Sequence, residues 1–136
     1  MRRILQVVLI AIGGVMVVAG ILGVVLGADL VLGVDAFPAS LDSEFRFFAA
    51  WYLGAGFLLL RAVQRVETAT FEVRLIAITF FVAACGRVLS IIDVGEPHVF
   101  YVVLAVIEFV IPLVIVPLQS LVARRPSEGS GFASNS

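Results

Sequence analysis

Inside the long apolar stretches of this 136-residue chain stand two residues of opposite charge, Arg87 and Glu108. Around them, Thr79, Ala83, Arg87 and Ser90 recur at i, i+4, i+8 and i+11. Tyr101, Ala105, Glu108, Pro112 and Gln119 recur at i, i+4, i+7, i+11 and i+18. On helices each set occupies one face, and two faces that avoid lipid should meet. A charge within a membrane span is a candidate for function by default, because its desolvation must be repaid by a partner. Arg46 opens another apolar run, with Ala50 and Gly54 below it on the same face. A third helix can therefore help close an outward-facing polar pocket. Arg87, Glu108, Arg46, Ser90 and Tyr101 form the candidate binding set, and the guanidinium groups suit the headgroup of a small anionic or quinone-like lipid. The structural alternative is that Arg46 snorkels to the interface while Arg87 and Glu108 form an ion pair that fixes helix register.

Other chemistry lacks its residues. Cys85 is the only cysteine, so neither a disulfide nor a dithiol redox pair can form within the chain, and it lies in an apolar run where a thiol packs as a small hydrophobe. With one histidine, His98, and no clustered carboxylates, the expectation is no metal and no cofactor. No nucleophile and base stand at useful spacing, so a membrane-embedded enzyme ranks last among the readings. His98 follows Pro97 in a short turn and reads as a surface residue, and Trp51 reads as an interfacial anchor.

The elements that must position these residues follow from composition. The chain is 62% hydrophobic and 14% charged, with a mean hydropathy of +1.17. A soluble domain cannot bury that much apolar surface. Nine basic residues against ten acidic ones exclude nucleic acid as a partner and a basic peripheral helix as the mode of membrane attachment. Ile4 to Ala28 holds no charge. At 1.5 Å per residue it reaches about 37 Å, more than the ~30 Å hydrocarbon core and too long for the apolar region of a signal peptide. Further spans are expected at about 45–60, 75–92 and 99–122. The third tolerates Arg87, because ten Leu, Ile, Phe and Val residues contribute roughly −3 to −6 kcal/mol against about +2.5 to +3.5 for a central arginine. Pro112 and Pro117 are tolerated in the fourth, where neighbouring helices satisfy the freed carbonyls. The fold class is therefore all-α: a four-transmembrane-helix up-down bundle over residues 1–125, with a Ser- and Gly-rich tail over 126–136 expected to be disordered.

Arg2, Arg3, Arg61, Arg65, Arg74, Arg124 and Arg125 all fall on one side of these spans. The opposite loops hold no arginine and six acids: Asp29, Asp35, Asp42, Glu44, Asp93 and Glu96. Both termini, and the tail, are expected in the cytoplasm. Phe45, Phe47, Phe48, Trp51, Tyr52, Phe100 and Tyr101 gather where an outer aromatic belt belongs. Small residues at Ala19, Gly23 and Gly27, and at Ala50 and Gly54, mark expected helix-packing stripes, either inside the bundle or on a homo-oligomer face.

Ser43 to Gly56 (SEFRFFAAWYLGAG) and Gly86 to Pro112 (GRVLSIIDVGEPHVFYVVLAVIEFVIP) resemble the small four-span bacterial membrane proteins of domain-of-unknown-function family 4345. The matching positions are Glu44, Arg46, Gly54, Gly86, Arg87, Ser90, Gly95, Pro97 and Glu108. The resemblance implies a multi-pass protein of the bacterial inner membrane and supplies no activity. The expected function is a non-catalytic accessory or structural component that associates with a membrane partner, supported by the small-residue stripes and short loops. The alternative is a lipid binder or carrier using the polar pocket.

Overall fold

A computed structural model describes residues 1–123, and the expected disordered tail and Arg124 and Arg125 lie outside the described residues. The described residues form four helices and no strand: α1 (Arg2–Leu26), α2 (Ala39–Ala62), α3 (Thr70–Val94) and α4 (Val99–Ala123). Each is long and apolar enough to cross a bilayer, as expected of a multi-pass membrane protein. Tight 3-10 turns, Gly27–Leu30 and Val63–Arg65, follow α1 and α2. Helix α2 begins well before the apolar stretch that opens at Phe45. Pro38 stands at its N-cap, and Asp42 lies in its first turn, where a carboxylate favours the positive end of the helix dipole.

The bundle consists of two closely packed hairpins, α1 with α2 and α3 with α4, which touch each other sparsely. The α1/α2 seam runs through Leu9, Gly13, Met16, Gly20 and Gly23, all buried, whose alternating spacings of four and three keep the stripe on one side of the helix. The backbones come very close there. A Cβ built on Gly20 would lie 2.6 Å from Leu53 Cβ and 2.7 Å from its Cα, and one on Gly23 would lie 2.6 Å from Ala49 Cβ. Of the expected stripe residues, Gly23 lies in this seam. A strict four-residue repeat drifts about 40° round a helix at each step, so Ala19 leaves the seam and is exposed. Ala50 and Gly54 follow the seam residues Ala49 and Leu53 by one position, about 100° further round, and a Cβ on Gly54 meets nothing within 4 Å.

The apolar core lies towards the end of the bundle that holds the N-terminus. Leu5, Leu9, Leu59, Val66, Val73, Ile76, Ile115 and Val122 pack together there. Two amides fasten the same end. Gln6 Nε2 donates to the Val63 carbonyl at 3.1 Å, and Gln119 Nε2 donates to Thr70 Oγ1 at 2.6 Å. Both reach the turn that joins α2 to α3, where helix-terminal carbonyls need partners. The exposed ion pairs Arg2–Glu67 and Arg65–Glu72 add little by comparison.

Candidate functional site

At the opposite end, polar contacts replace the apolar core. Helix α3 stops at Gly95, which adopts φ 113° and returns its N–H to the Ile91 carbonyl. The four residues Gly95–His98 then turn the chain into α4, with His98 Nδ1 accepting the Phe100 N–H at 3.2 Å. So short a turn makes α3 and α4 antiparallel neighbours. Arg87 and Glu108 consequently meet side-on, with Nε donating to Oε2 at 2.7 Å and Nη2 to Oε1 at 3.0 Å. Two parallel charge-assisted bonds fix the register of the hairpin as one point contact could not. The Glu108 side chain is 8% exposed and that of Arg87 34%, so the carboxylate is the buried end of the pair.

The rest of the expected set does not join them in one pocket. Tyr101 is beside Arg87, its ring centroid 5.8 Å from the guanidinium carbon, in cation–π geometry. Its hydroxyl accepts the Leu32 N–H at 2.9 Å, tying the α1–α2 loop to α4 and thus one hairpin to the other. Ser90 is exposed on α3 and bonds to neither member of the pair. Arg46 faces elsewhere: Nη1 donates to the carbonyls of Val24 at 2.6 Å and Val25 at 3.0 Å, and Nε to Asp42 Oδ2 at 2.8 Å. The physical reason is the end of α1, whose last carbonyls lack helical partners and carry the negative end of the dipole. Asp42 Oδ1 accepts the Ala28 N–H at 2.8 Å and completes the cap. Gly27 is required between them, because it holds φ 64° and any Cβ there would strike Asp42 and Arg46. Arg46→Ala is expected to accelerate amide hydrogen exchange at Ala28 and Val31. Unchanged protection there would mean the arginine does not hold the cap.

A groove opens between α2 and α3. Of about 840 Å³, within the size range of small-molecule sites, it is walled by Phe47, Phe48, Trp51, Leu58, Leu75 and Phe80. Ala50, Gly54 and Ala83 hollow it because their side chains are short, and Met16 and Glu108 line it from α1 and α4. Most of these wall residues are exposed, so the groove opens through the side of the bundle. Of the five candidate binding residues, only Glu108 lines it. Two groups escaped sequence reasoning: Tyr52, which faces the groove rather than an aromatic belt alone, and the Gln6/Gln119 fastening. Among the described residues no cluster of His, Cys, Asp or Glu is fit to hold a metal.

Gly54→Leu follows as a test of the groove's geometry. Since a Cβ there meets nothing within 4 Å, the variant should melt within a few degrees of the parent, and a large drop would mean that Gly54 packs against a helix.

Compared with known proteins, residues 4–119 match the model of a family described as a domain of unknown function (DUF4345). No curated protein and no solved structure matches the chain.

Proposed function

The chain belongs to the DUF4345 family, and since that family carries no assigned activity we propose from the chain's own geometry that it is a non-catalytic membrane protein holding an apolar, lipid-like molecule in the groove between α2 and α3. One observation carries the reading: an apolar groove of ligand size that opens through the side of the bundle ends on a buried carboxylate already neutralised by Arg87. A membrane-soluble molecule reaches such a site laterally, without crossing a polar surface. The ion pair gives the site one polar end without the cost of an unpaired charge in a medium of low dielectric.

The accessory role rests on a different feature, the small residues Ala50 and Gly54, which lie open with no described helix upon them. Purification in mild detergent followed by mass spectrometry of both proteins and lipids separates the two. A retained lipid-class molecule is expected. A stoichiometric protein partner with no such molecule would overturn the ligand reading in favour of the accessory one.

The location we propose is the bacterial inner membrane, with both termini in the cytoplasm. Its support is the asymmetry of the arginines, seven on the side of the termini and none in the two opposite loops. A reporter active only outside the cytoplasm should be silent when fused after Ala123 and active when inserted between Asp29 and Ser43. The reverse pattern would invert the orientation.

A further inference from the structure

We infer that the groove takes a neutral apolar alcohol, its hydroxyl donating to the Glu108 carboxylate and accepting from the Tyr52 hydroxyl. This rests on the reading of the groove as a ligand site and adds the chemical class of the ligand. Three polar side chains line the groove: Tyr52, Thr79 and Glu108. Thr79 spends its proton on the Leu75 carbonyl at 2.9 Å. Tyr52 is half-buried, and no hydrogen bond to a described residue engages its hydroxyl. Each Glu108 oxygen accepts one bond from Arg87, and a carboxylate has about four lone-pair sites, so acceptor capacity remains.

The groove thus offers one free donor and one acceptor of high charge density. An anionic headgroup would sit against the carboxylate, because Arg87 itself is not part of the lining. A cationic amine would compete with a guanidinium that already neutralises Glu108 in bidentate geometry. A quinone presents acceptors only, so it would satisfy Tyr52 and leave its second carbonyl without a donor among these three groups. A hydroxyl is donor and acceptor at once and satisfies both. The alkyl and aromatic walls suit a long or branched hydrocarbon body.

The test uses the full chain in nanodiscs of phosphatidylcholine, photolabelled with a diazirine-bearing long-chain alcohol. Competitors are the unlabelled alcohol, its methyl ether, a short-chain quinone and phosphatidylglycerol. Saturable labelling of groove residues is expected, with the alcohol competing about tenfold better than the ether or the quinone, the scale of one hydrogen bond. Tyr52→Phe should weaken competition by the alcohol, the ether and the quinone alike, since each accepts from Tyr52, and leave the preference for the alcohol, which its bond to Glu108 carries. Equal competition by the ether, or competition by the alcohol that is undiminished in Tyr52→Phe, overturns the alcohol assignment while leaving the groove as a ligand site. Labelling that does not saturate, or that persists unchanged in Gly54→Leu, overturns both.

Discussion

Glu108→Ala is expected to destabilise the protein by about 3–5 kcal/mol, the scale found when one member of a buried ion pair is removed. The cost arises mainly from the charge left behind. Without Glu108 the Arg87 guanidinium keeps the Tyr101 ring but loses both hydrogen bonds, in a helix surrounded by lipid. Arg87→Ala should cost as much or more, because Glu108 is the more deeply buried of the two and would be left as an unpaired anion. The double alanine variant removes both charges, so it should be more stable than either single variant. Unfolding in detergent, or accumulation in the membrane, gives all four corners of the cycle. Single effects that simply add in the double variant would show that the two residues are not coupled.

The second large effect belongs to the α1/α2 seam. Gly20→Leu is expected to cost at least the 1–3 kcal/mol typical of overpacking, and to lower both the melting temperature and the yield. Its first added atom already meets Leu53 at 2.6 Å, and two of the nearest atoms are backbone, which cannot rotate aside as a side-chain end can. Gly23→Leu should behave similarly, against Ala49. Parent-like melting of Gly20→Leu would mean that the two helices separate more readily than their contact implies.

These two sites were legible in the sequence to different degrees, for physical reasons. A charge in a membrane span must be neutralised, and two spans joined by a tight turn must be neighbours, so Arg87 and Glu108 could be matched by depth alone. The glycine seam was only half legible. Small residues mark close approach, but Gly23 and Gly54 are equivalent as residues, and only the direction in which α2 presents its faces separates a seam position from an open one. Gln119 stood on the lipid-avoiding face of α4 and Gln6 gave no warning, but neither partner was legible, because a neutral amide in an apolar run carries no charge to balance and bonds to whichever turn the fold brings near. The groove was the least legible, since it is made by two hairpins that touch only sparsely along α2 and α3, and a missing contact has no residue of its own. Arg46 shows the opposite error. Its charge was visible, and so was Asp42 four residues before it, yet its other partners are backbone carbonyls of α1, which any sequence would supply at that place.

The most direct measurement is native mass spectrometry of the parent and Gly54→Leu, each released from its own membrane in mild detergent. The parent is expected to carry one apolar, lipid-class molecule per chain, and Gly54→Leu, whose leucine would fill the groove without disturbing the seam, is expected to fly bare. A parent without any retained molecule, or an adduct that survives unchanged in Gly54→Leu, would contradict a ligand site between α2 and α3.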